Sequence, residues 1–138
     1  MVAAQFARID RSNPAVSGDL SAPPVVKDAL ERACYDCHSN QTRWPWYSAV
    51  APFSWWIHNE VDQGRRRFNF SSWTDYTSDP GTEDQKLDEV ARLIANRAMP
   101  PWYYLTMHPA ARLTSAERDA ITRWIAGEKS SHAASSPR

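Results

Sequence analysis

The chain has 138 residues, of which 42% are hydrophobic and 23% charged, and its 16 Lys and Arg balance its 16 Asp and Glu. Such a length supports one domain around a single modest core, and the neutral balance offers no basic stripe to track phosphates, which excludes nucleic acid as a partner. No stretch approaches the roughly 18 apolar residues of a membrane span. The opening "MVAAQFARIDRSNP" lacks the apolar centre of a secretory signal, so the chain is expected to be either cytoplasmic or stripped of its leader.

Residues 1–20 show no periodicity and contain Ser, Asn, Pro and Gly, the composition of an extended arm. Ser21 then stands as the cap of a helix over 23–35, with Val26, Leu30, Ala33 and Cys34 on one face and two prolines tolerated in the first turn. This helix delivers "CYDCH". Cys34 and Cys37 are the only cysteines, so a disulfide scaffold is excluded. A thioredoxin-like pair would follow a strand, whereas a helix precedes this one. A structural zinc site needs about four ligands, and no second cysteine pair or closely spaced histidines follow. Cys-x-x-Cys-His is the attachment signal of c-type haem. Two thiols three residues apart on a helical turn can each add to one of the two vinyl groups on the same porphyrin edge, and His38, one turn from Cys34, can then reach the iron.

After an aromatic loop, Ser54 is the expected cap of a helix reaching 67, and "NFSSWTDYTSDPG", over 69–81, reads as a surface connection. Thr82 with Gln85 patterns a capping box for a helix to 96, along which Leu87, Val90, Ala91, Leu93 and Ile94 recur at helical spacing. Met99 follows, and Pro100 and Pro101 stop the helix. Thr114 with Glu117 starts a last helix carrying Ala120, Ile121, Trp124 and Ile125, which Gly127 ends. The polar tail over 128–138 reads as disordered. The expected architecture is a 1–20 arm, an all-α c-type cytochrome-like domain over 21–127 wrapped around one covalent haem, and that tail.

The second axial position has four candidates: Met99, Met107, His58 and His108. Met99, held by two prolines, presents its thioether from a stiff turn with little entropy left to lose, which favours it. Met107 is the alternative if its loop turns inward, and a histidine or an open position is the third possibility. His58, near Trp55 and Val61 by helical spacing, reads as a packed histidine, and His108, before a proline, as a loop edge. Arg65, Arg66 and Arg67 could hold the haem propionates, but adjacent arginines point in three directions and read mostly as a solvated face. Trp44, Trp46, Trp55, Trp56, Trp73 and Trp102 could wall the porphyrin, some of them filling the core instead.

Taken together, "CYDCHSNQTRWPWYSAVAPFSWWIHNEVDQGRRRFNFSSW" and "MPPWYYLTMHPAARLT" resemble the bacterial haem-binding domain family, small c-type cytochrome-like domains exported to the periplasm. The likeness runs from about residue 27 to 126. It implies Cys34 and Cys37 as thioether sites, His38 as proximal ligand and Met99 as distal ligand. It also implies an export signal or membrane anchor, which is expected outside this chain. Three functions fit: one-electron transfer to a redox partner protein, gas sensing or peroxidase-like chemistry at a labile distal side near His58 or Arg65, and a haem-carrying module that docks through its aromatic loops.

Overall fold

The computed structural model describes residues 9–135, so the first eight residues of the arm and the last three of the tail lie outside it. Seven α-helices are described: α1 (Pro24–Ala33), α2 (Tyr35–His38), α3 (Phe53–Arg67), α4 (Thr74–Thr77), α5 (Pro80–Ala95), α6 (Trp102–Met107) and α7 (Ser115–Ser135). Short 3-10 turns occupy Trp46–Ala49 and Pro109–Ala111. Among the described residues there is no strand, only an isolated bridge between Gly18 and Ser72, so the domain is all-α as its patterning predicts. No described helix is long and apolar enough to cross a membrane.

Helices α1 and α5 each pack on α7, and all three share one core through the apolar faces that their periodicity creates. Val26 and Leu30, Leu87 and Ile94, and Ile121 and Ile125 are all buried there. Each such side chain contributes about 1.5–3 kcal/mol by leaving water.

The remaining side of the core is closed by the segment that composition marked as a surface connection. Phe70 and Trp73 are buried within it, Phe70 to 1% exposure, and Phe68 is buried just before it. The polar residues between them serve the backbone: Ser71 Oγ accepts from Asn40 N at 3.0 Å, and Ser71 O accepts from Ser17 N and Gly18 N, each at 3.0 Å. Leu20 N donates to Phe70 O at 2.9 Å, so the arm is strapped to this segment and buries Leu20. Gly18 passes so close to Thr74 that a Cβ there would overlap the threonine side chain.

Helix ends depart from the sequence-based expectation where stronger partners compete. Ser21 caps nothing, since α1 starts at Pro24 with Pro23 before it, and Ser54 lies buried just inside α3 rather than at its cap. Asp79 caps α5, accepting from Thr82 N at 3.1 Å, and displaces the Thr82 with Gln85 box because a carboxylate also answers the positive end of the helix dipole. At α7 the box forms as patterned: Thr114 N donates to Glu117 Oε2 at 2.8 Å and Glu117 N to Thr114 Oγ1 at 3.2 Å. That helix then continues through Gly127 to Ser135 instead of giving way to a disordered tail. Lys129 pairs with Asp88 and His132 with Asp84, both on α5, and these tertiary partners sustain helix where local propensity is weak.

Candidate functional site

Cys34 (φ −128°, ψ −31°) breaks the helix that the sequence pattern carried on to residue 35, ending α1 and opening α2. Cys37 N and His38 N both donate to Cys34 O, at 3.2 and 3.0 Å, so the three residues stay within one turn. Cys34, Cys37 and His38 line a single cleft, together with Gly64 and Arg67 of α3 and with Met99.

The His38 ring is buried and stacks on Phe68, centroids 4.0 Å apart and planes 9° from parallel. Its Nδ1–H donates to Gly64 O at 3.0 Å, with Phe68 O at 3.4 Å. Carbonyls can only accept, so the proton sits on Nδ1 and Nε2 keeps its lone pair. Burial pushes this imidazole down to about 4, against the opposing pull of the two carbonyls, so it is neutral at physiological pH. A neutral imidazole whose second nitrogen is fixed to backbone carbonyls is how ligating histidines are oriented.

Gly64 makes this possible in two ways. Its carbonyl holds His38, and α3 crosses the CxxCH turn at this residue so tightly that a Cβ would lie 2.3 Å from Cys37 O. Sequence reasoning passed over Gly64, although a glycine inside a helical pattern was the available signal of close backbone approach.

Met99 reaches the cleft from the end of α5. Arg97 N donates to Ile94 O at 3.1 Å and Ala98 N to Leu93 O at 3.0 Å, a Schellman termination with Arg97 in the left-handed region at φ 55°. Met99 N also lies 3.3 Å from Leu93 O. Thus a hydrogen-bonded turn, as well as the prolines that follow it, presents the thioether. The next helix is fastened by its tyrosines: Tyr104 Oη donates to Asp36 Oδ2 and Tyr103 Oη to Glu60 Oε2, both at 2.7 Å. Asp36, inside the CxxCH segment, also accepts from Arg43 N at 3.0 Å and Arg43 Nε at 3.2 Å.

The other sequence candidates fall elsewhere. Met107 is 57% exposed and His108 Nε2 is 2.7 Å from Tyr47 Oη, and neither residue lines the cleft of the cysteines. His58 does not line it either. Arg65 binds Ser39 O, Asn13 Oδ1 and Thr42 Oγ1, and Arg66 pairs with Asp62. Arg67, paired with Glu89, does face the cleft. None of the six tryptophans considered as ring walls lines it. Trp46 and Trp102 are 78% and 79% exposed, Trp55 and Trp56 are exposed, and Trp73 lies in the core with Nε1 donating to Glu83. Trp44 Nε1 is buried without a hydrogen-bond partner among the described residues. Trp56 instead lines a second, adjoining cleft with Tyr47 and Met107, which shares Asp36, Cys37, Glu60, Pro101 and Tyr104 with the first.

Burial, before any other cause, pushes both thiols up to about 12, which removes the thiolate a reactive dithiol would use. Among the described residues no three or more His, Cys, Asp and Glu cluster in a way that could hold a metal ion, as structural zinc would require. Two thiols, one oriented imidazole and one thioether on a shared cleft are a donor set that fits haem. The sequence matches the haem-binding domain family over residues 1–127. The chain belongs to that family. This haem-binding domain is 24% identical over 106 residues to cytochrome c peroxidase Ccp of Escherichia coli (strain K12). The match covers 76% of the chain and 23% of that relative, so the chain spans about a quarter of the curated protein's length. No solved structure matches it significantly.

Proposed function

We propose that this domain carries one haem c, held by thioethers from Cys34 and Cys37 with His38 Nε2 and the Met99 sulfur as axial ligands, and passes single electrons to a redox partner protein in the periplasm. The observation that supports this reading most is the convergence of Cys34, Cys37, His38 and Met99 on one cleft, with His38 Nδ1 tied to Gly64 O. Haem supplies a reversible ferric and ferrous couple when bound. The chain's residues do the rest. Burial keeps the His38 imidazole neutral, and Phe68 with the two carbonyls sets its ring plane. The Met99 thioether favours the reduced state relative to a second imidazole. Arg67, which lines the cleft and pairs with Glu89, would hold a propionate by a charge-assisted hydrogen bond. With His38 and Met99 both held as ligands, the group would offer no vacancy for substrate, which favours electron transfer over catalysis.

The test is the dithionite-reduced absorption spectrum, with and without carbon monoxide, of the protein made alongside haem-attachment machinery. The wild type is expected to be low-spin and untouched by the gas, and Met99→Ala to bind it. No haem bands would refute the cofactor, and a Met99→Ala spectrum identical to wild type would remove Met99 as a ligand. A peroxidase-like second reading is favoured by the similarity to the peroxidase named above and by Glu60, Gln63 and Arg67 on the cleft. It requires prompt carbon monoxide binding by the wild type together with peroxide turnover.

A further inference from the structure

We propose that Tyr104 and Tyr103 are positioning residues for the Met99 side of the site: through Asp36 and Glu60 they hold the turn that carries Met99 closed against α2 and α3. The inference rests on the covalent haem with His38 and Met99 ligation proposed above.

Helix α6 has six residues and none of them is fully buried, so intrinsic helix stability does not fix its place and its apolar packing is limited to half-buried contacts such as Tyr103 against Trp56, ring centroids 4.9 Å apart. Hydrogen bonds from its tyrosines fix it. Both acceptors are carboxylates, and bonds to ionised oxygens are about twice as strong as neutral ones. Each carboxylate belongs to a different wall of the cleft, Asp36 to the CxxCH turn and Glu60 to α3. Asp36 is itself anchored by the backbone and guanidinium of Arg43, so it cannot follow a departing tyrosine. Burial is the main reason that the Tyr103 phenol is pushed up to about 12 and that of Tyr104 well above its ordinary value, so both remain donors.

The linkage to Met99 is short. Only Pro100, Pro101 and Trp102 separate it from Tyr103, and the prolines have fixed φ and no N–H, so displacement of α6 passes to the methionine instead of being absorbed between them. Tyr104 therefore joins the segment that would hold the haem to the segment that would close its far side. Removing the phenolic oxygens releases the Met99 turn while leaving every proposed iron ligand in the sequence.

The experiment compares wild type, Tyr104→Phe, Tyr103→Phe and the double variant in carbon monoxide association with the reduced, haem-loaded protein, followed by stopped flow. Tyr76→Phe is the control, because Tyr76 Oη accepts from Asn69 N at 3.1 Å and does not line the cleft. The double variant is expected to bind the gas at least about tenfold faster than wild type, the order of change from losing a hydrogen bond to a charged group. Its ferric near-infrared methionine-to-iron band should weaken in parallel, with Tyr76→Phe unchanged in both. A wild-type rate in the double variant, or the same rise in Tyr76→Phe, overturns the proposal. Where Tyr104→Phe does not accumulate, Tyr103→Phe alone must show a faster rate, and a wild-type rate there overturns it too. A wild type that is haem-free or already open to the gas refutes the ligation reading, and the positioning role falls with it, whereas a closed wild type beside a closed double variant refutes the positioning role alone.

Discussion

Adding one methyl group to a helical glycine should have opposite effects at two places in this fold. At Gly127 a Cβ meets nothing within 4 Å, so Gly127→Ala gains only the lower backbone entropy of alanine, about 0.5–1 kcal/mol. At Gly64 the same Cβ would lie 2.3 Å from Cys37 O, 2.9 Å from Cys37 C and 3.2 Å from Cys37 Cβ. Backbone cannot swing aside as a side-chain tip can, so α3 must lift, at an overpacking cost of about 1–3 kcal/mol. Lifting also draws Gly64 O away from His38 Nδ1, forfeiting about 1 kcal/mol more. Set against the entropy gain, Gly64→Ala loses about 1–3 kcal/mol. At about 3–5 °C per kcal/mol for this length, it should melt several degrees below wild type while Gly127→Ala melts slightly above. Thermal melts of the three haem-loaded proteins decide it. A Gly64→Ala melting point at or above wild type would show that α3 does not press on the CxxCH turn, and the account of how His38 is oriented would go with it.

Arg97 holds a left-handed conformation at the end of α5, φ 55°, which costs a side-chain-bearing residue about 1 kcal/mol or more. Arg97→Gly should therefore stabilise the fold by about 0.5–1 kcal/mol once the looser unfolded chain is counted, seen as a higher urea midpoint, and a lower midpoint would contradict this. The C-terminal part of α7 should respond to pH. His132 is held above its usual 6.5, first by its hydrogen bond to Asp84, then by the charges of Glu83, Asp84 and Glu128, with burial opposing. A raised folded-state value means that this stabilisation is fully present below 6.5 and is lost as pH rises through the folded-state value. Exchange-corrected amide protection over 128–135 should accordingly fall from pH 6 to pH 8, and His132→Ala should flatten the difference.

The CxxCH half of the site was legible because its pattern is local: the spacing occupies five residues, and periodicity marks α5 and the buried face of α7. The Thr114 and Glu117 box was legible for the same reason, since both partners lie within one turn. What escaped depends on distant partners. Phe70 and Trp73 sit among serines that read as a turn, yet those serines answer Asn40 and the arm, and the aromatics fill the core. Residues 128–135 have weak local helix signals and take their order from α5, about 40 positions earlier. Tryptophan number suggested a ring wall, but Trp46 and Trp102 point to solvent, because which face an aromatic takes is set by the neighbouring element and not by its own identity.

Arg65 binds three neutral oxygens, and one of them, Ser39 O at 2.8 Å, belongs to the residue after His38. A guanidinium keeps its proton in that setting, and dipoles spread its charge where a touching carboxylate would have cancelled it. The ferrous state of a bound haem is one unit more negative than the ferric state. In the haem-bound protein proposed above, the side chain that ties the arm to the loop would thus also place a positive charge beside the His38 segment, offset in part by Asp62 and Asp10, and would favour the electron-rich state.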